Sequence, residues 1–139
     1  MERYEIFSTT ADVGLRVRGR DCAELCHHSL LAFNTLLFGV EKNVAAAPAG
    51  HPHVFEYRGD SCENLLVNLL AEMVAIVNDK KQMAGDWSVI SGTEKRLRLE
   101  FQLTAWPVAP LLEIKSVTYH NLRIRRDKGV RQAEIILDV

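Results

Sequence analysis

A chain of 139 residues has the length of one domain, and a hydrophobic share of 47% beside 25% charged residues excludes the disordered and fibrous classes. Seventeen basic against eighteen acidic side chains leave a formal net charge of -1, so no global field argues for nucleic acid, an anionic membrane or an acidic substrate. The first residues lack an apolar signal core and no stretch approaches the roughly 18 consecutive apolar residues of a membrane span, which places the protein in the cytoplasm with no membrane partner.

Residues 4–7 and 13–19 have strand character: Leu15 and Val17 alternate with Arg16 and Arg18, and Gly19 ends the run. Between the two lies Thr9, Thr10, Ala11, Asp12, Val13, Gly14. A carboxylate at position 12, flanked by apolar strand residues, must be solvated, hydrogen-bonded or matched by a cation. Asp21 with Glu24 has the form of an N-cap and its capping-box partner, and Gly39 supplies a left-handed stop. Cys22, Leu25, Cys26, Leu30, Phe33 and Leu37 recur at helical spacing between them, which predicts an amphipathic helix over 21–38.

The breakers and small residues of 41–52 predict a mobile loop, and 53–58 a short strand. Ser61 caps a second helix over 62–79, with Glu63 in its first turn and a wide apolar face from Leu65 to Val77. Asn64, Asn68 and Glu72 form its polar stripe. The period then changes to two: strands are expected at 87–90 and 97–105, then, after Pro107 and Pro110, at 113–125, and finally at 130–139 after an Asp127, Lys128, Gly129 turn. Two helices and short-linked strands give a single α+β domain, its helices packed on a mostly antiparallel sheet.

No phosphate loop, nucleophile elbow, zinc signature or dinucleotide fingerprint is present. Cys22, Cys26 and Cys62 are odd in number and unpatterned, which argues for reduced thiols; Cys22, Cys26 and His27 could share a helix face as ligands, but two buried small side chains are the stronger interpretation. His51 and His53 read as solvent-facing loop residues rather than ligands. Asp138 and the α-carboxylate of Val139 put two negative groups side by side; if the last strand is packed, they can converge with Asp12 and call for a hard cation such as Ca²⁺, Mg²⁺ or Mn²⁺. His120 shares a strand phase with Leu122 and Ile124, as a hydrogen-bonded core residue more readily than as a catalyst. Arg123, Arg125, Arg126 and Lys128 form a basic hairpin, either a solvated edge that discourages aggregation or a contact for RNA or phosphate.

Four blocks together resemble the archease family: Thr10 to Gly14, Leu65 to Val67 with Leu70 and Glu72, Ile114 to His120, and Leu137 to Val139. They stand in family order along nearly the whole chain. The resemblance implies a non-catalytic protein that activates an RtcB-type RNA ligase in tRNA splicing and RNA repair, promoting its guanylylation by GTP and its repeated turnover. It also implies a divalent cation, Ca²⁺ first and Mg²⁺ or Mn²⁺ as alternatives, held by Asp12, Asp138 and Val139. Glu72, Lys115 and His120 would serve contact or activation, and RNA would be met only through the ligase. Thr9 stands where the family places a histidine, Asn64 and Asn68 replace acids in the second helix, and Trp106 to Pro110 is more apolar than the family's loop. Alternatives are a chaperone-like module for RNA-processing proteins, or a metal-dependent enzyme with His120 as general base.

Overall fold

The computed structural model describes residues 2–119 and 122–139. Strand β1 (Tyr4–Ser8) turns back as β2 (Asp12–Gly19), followed by α1 (Cys22–Phe38), β3 (His53–Arg58) and α2 (Cys62–Ala75), which runs on as one π-helical turn, Ile76–Lys80. Strands β4 (Gln82–Gly92), β5 (Arg96–Ala105), β6 (Ser116–Thr118), β7 (Ile124–Asp127) and β8 (Val130–Asp138) complete the chain.

The α+β class holds, but the strands divide into two antiparallel sheets rather than one: a five-stranded sheet in which β2 and β8 are central, with β6 and β7 both pairing β8, and a three-stranded sheet of order β3-β5-β4. Both helices lie against both sheets, α1 touching β2 and β4, and α2 touching β6 and β3. Because side chains alternate across a strand, β2 and β8 send Leu15, Val17, Ala133, Ile135 and Leu137 inward, each fully buried, and leave their even-numbered residues on the opposite face.

Local chemistry sets the helix ends. Asp21 accepts from the Glu24 backbone N–H at 2.8 Å and Gly39 takes φ 73°, closing α1 at the expected positions. Ser61 caps α2 by accepting from Asn64 N. The helix over 62–79 changes to a π turn after Ala75 and is stopped by Lys81 at φ 56°. Helix α1 is buried well beyond one apolar stripe, because sheet, sheet and helix surround it; buried Asn34 is satisfied by donating to Glu41 O and Ala84 O.

Four expectations need correction. Cys22 and Cys62 form a disulfide, and only Cys26 is a free thiol. They begin α1 and α2, whose first residues meet only in the folded chain, so spacing gave no sign of the pairing. The strand at 87–90 extends over 82–92, because Gly85 and Asp86 sit at a register shift against β5 instead of ending the strand. In place of a single strand over 113–125 the structure has two short ones, β6 and β7, each pairing β8. The loop over 41–52 is tethered: Asn43 N donates to Gly85 O at 2.8 Å and Ala49 N to Leu103 O at 2.7 Å. The turn at Asp127, Lys128 and Gly129 stands as expected, with φ 50° at Lys128 and 77° at Gly129.

Candidate functional site

The register of β2 on β8 places Asp12 directly opposite Asp138, and the register of β6 on β8 places Ser116 on Asp138's other side. Partners in an antiparallel pair project to the same face, so both carboxylates stand on the outer face of the five-stranded sheet, away from the helices. Directly opposed like charges destabilise a sheet. Among the described residues neither carboxylate has an ion pair or a side-chain hydrogen bond. The corner is held from the backbone: Thr9 N donates to Asp12 O at 2.9 Å, Asp12 N to Thr9 Oγ1 at 3.0 Å, and Lys115 N to Asp138 O at 2.8 Å. Thr9 is thus the hydrogen-bonding residue that closes the β1–β2 turn beside Asp12.

The sequence motif gains further structural content at Gly14. A Cβ there would lie 2.1 Å from the tip of the Phe7 ring, which covers the glycine, and the Arg16 guanidinium lies 4.9 Å over the same ring. Arg16 in turn donates to Glu134 at 2.7 Å and Glu5 at 2.8 Å. The outer face therefore runs from the acidic pair through an apolar row of Phe7 and Ile136 to a charge-paired row.

Asp12 and Asp138 are both half-buried and Val139 is 37% exposed, so the donors a cation would need remain reachable from solvent. The two side-chain carboxylates are oxygen donors of the kind that suits a hard divalent ion. No group of three or more His, Cys, Asp or Glu side chains clusters among the described residues, so any such ion would be held by this smaller set and by solvent.

The other expected site residues lie elsewhere. Glu72 Oε1 takes a hydrogen bond with His53 Nε2 at 3.1 Å, and the His53 ring stacks on Phe101 at 6.2 Å; His53 is a packed partner of α2 rather than a solvent-facing residue. Lys115 is exposed immediately before β6, close in sequence to Ser116, and His120 falls outside the described residues.

His27, which shares the start of α1 with Cys22 and Cys26, is a hydrogen-bond acceptor in the structure rather than a ligand beside them. Its Nδ1 accepts from Trp87 Nε1 at 3.0 Å. Burial first, then the charges of His28, Lys42 and Arg3, holds its pKa below the ordinary imidazole value, which keeps Nδ1 free to accept. Lys42 bonds Asp86 at 2.8 Å and lies 4.8 Å over the Trp87 ring. Cys26 is buried and its thiol is pushed up by desolvation, so it stays protonated.

The model of the Archease protein family matches residues 4–139. Protein archease of Pyrococcus abyssi is 30% identical with all of both chains covered, and that of Thermococcus gammatolerans is 28% identical over 91% of this chain and 90% of its own. Among solved structures, a Methanobacterium thermoautotrophicum protein superposes over both whole chains with a TM-score of 0.71 at 24% identity. A Thermotoga maritima protein described as an archease, possible chaperone, does so with 0.66 at 15%, covering 99% of that chain. These two share the fold. No helix among the described residues is long and apolar enough to cross a membrane. With its fold, its opposed aspartates and a family match over nearly its full length, the chain belongs to the archease family.

Proposed function

We propose that this protein is a non-catalytic activator of an RtcB-type RNA ligase in the cytoplasm, raising the rate at which the ligase is guanylylated by GTP during tRNA splicing or RNA repair. The observation that carries this is the opposition of Asp12 and Asp138 on an open sheet face where, among the described residues, no protein cation pairs with either. A divalent ion, Ca²⁺ first, bound by Asp12, Asp138 and the Val139 α-carboxylate would relieve that repulsion and order the corner for presentation to the ligase. Lys115, next to Ser116 at the edge of the corner, would meet the partner.

The test mixes the protein with a cognate RtcB-type ligase, GTP and Mn²⁺ and follows covalent guanylylation. The expected result is a rate increase lost by at least tenfold in Asp12→Ala and Asp138→Ala. No increase with the wild-type protein contradicts the proposal. The Thermotoga maritima description favours a second interpretation, a chaperone-like module for RNA-processing proteins. A pull-down recovering another RNA-processing protein and no ligase would select it.

A further inference from the structure

The outer face of the five-stranded sheet carries a second polar feature at its opposite end, on the hairpin of β7 and β8. Arg125 lies opposite Gln132 in the register, and the side chains of Arg123, Arg125, Gln132 and Glu134 line a cleft of about 280 Å³. A neighbouring cleft of about 470 Å³ is lined by Arg18, Arg125, Asp127, Lys128 and Gln132 among others. Arg125 and Gln132 border both, so the two form one trough along the hairpin.

Its charges are unequal in availability. Glu134 is bound by Arg16 at 2.7 Å, and Arg18 by Glu5 at 2.8 Å, so those ions are neutralised within the sheet. Arg123, Arg125 and Lys128 have no hydrogen bond or ion pair among the described residues, and of the trough's acids only Asp127 remains to oppose them. Arg18 Nε donates to Gln132 Oε1 at 2.9 Å; since a guanidinium can only donate, it fixes the amide oxygen on its own side and leaves the Gln132 NH₂ as a donor toward the trough. Arg18 Nη1 is shielded from solvent without a hydrogen bond, its contact with Glu2 Oε2 being 3.8 Å. A chain of net charge -1 thus concentrates unmatched donors in one place.

We infer that this trough binds the phosphodiester backbone of a single-stranded nucleic acid. Planar guanidinium forks match phosphate oxygens in pairs. Arg123, just before β7, and Arg125 within it line the same cleft, so their guanidiniums can take neighbouring phosphates of one extended strand. Among the described residues no aromatic side chain lines either cleft, so the contact they make is to the backbone rather than to stacked bases and is indifferent to sequence. Among the described residues lining the two clefts, Val130 alone has an apolar side chain. Direct contact with RNA departs from the expectation that RNA is met only through a ligase, and it stands whether or not the ligase proposal does.

The experiment is fluorescence anisotropy of a labelled uridine 12-mer RNA with the protein alone at 20 to 200 mM salt. Three proteins are compared: wild type, R123A/R125A, and K80A/K81A, which removes two exposed cations at the π turn that ends α2 and that line neither cleft of the trough. The expected result is saturable binding by wild type, at least tenfold weakening in R123A/R125A with the log–log salt slope reduced by about 1.4, and less than twofold change in K80A/K81A. Absence of wild-type binding at the lowest salt, or equal weakening in both variants, overturns the inference. So does a labelled decaglutamate that binds at least as tightly and depends on the same arginines, which would assign the trough to an acidic protein segment. Circular dichroism melting of each variant shows that the fold is retained.

Discussion

The chemistry of single side chains here is decided by what stands opposite them. Asp12 and Asp138 are uncompensated because the strand register pairs them with each other, whereas Glu5 and Glu134 are compensated because the same register pairs each with Arg16. That Asp12 needed a partner was legible in its apolar surroundings, and its convergence with Asp138 was accessible as a hypothesis about the last strand. The partners of Glu72 and His27 were not legible, because His53 and Trp87 come from strands whose positions depend on the whole fold. His27 yields a prediction with a definite sign. Its folded pKa lies below the ordinary value, so the unfolded chain binds the proton first as pH falls. Its contribution to stability is present above pH about 6.5 and is lost as pH drops through that value toward the folded pKa. Thermal denaturation across pH 5 to 8 is expected to show this fall in wild type and a flatter profile in His27→Gln, whose amide can accept from Trp87 without titrating. An identical profile in the variant contradicts the assignment.

At the level of elements, the caps and periods legible in the sequence placed α1 within a residue of both ends, because Asp21 and Gly39 act locally. Element ends that depend on tertiary pairing were not visible. Gly85 and Asp86 look like breakers, yet β5 holds them in a shifted register, and the backbone of the 41–52 loop finds acceptors on β4 and β5. The Cys22–Cys62 bond belongs to this scale too, since it ties the first residue of α1 to the first of α2 across 40 positions of sequence. Closing a loop of that length is worth about 3 to 4 kcal/mol on the chain-entropy model. Reduction by excess thiol, or Cys62→Ser, is therefore expected to lower the melting temperature by about 10 °C, a shift read by calorimetry. A melting curve unaffected by reductant would show that the bond contributes nothing to the folded state.

For the whole molecule, the two helices cover one face of the five-stranded sheet, and no other described helix or strand is packed on its opposite face. That open face carries the carboxylate pair at one end and the arginine trough at the other. The division of strands between two sheets was not legible, because period-two patterns identify strands without naming their neighbours. The α+β class and the family resemblance were legible, because blocks from both ends and the middle of the chain carry them.

The central claim is that the acidic corner exists to hold a divalent cation, and its most direct measurement is the melting temperature in saturating Ca²⁺ against chelator. An ion at 100 times its dissociation constant stabilises the native state by about 2.7 kcal/mol, which corresponds to a rise of several degrees for a domain of this size. Wild type is expected to show that rise and Asp12→Ala to lose it, while in chelator Asp12→Ala melts no lower than wild type because the opposed charges are relieved. Coincident wild-type curves in Ca²⁺ and in chelator, repeated with Mg²⁺ and Mn²⁺, would contradict the claim.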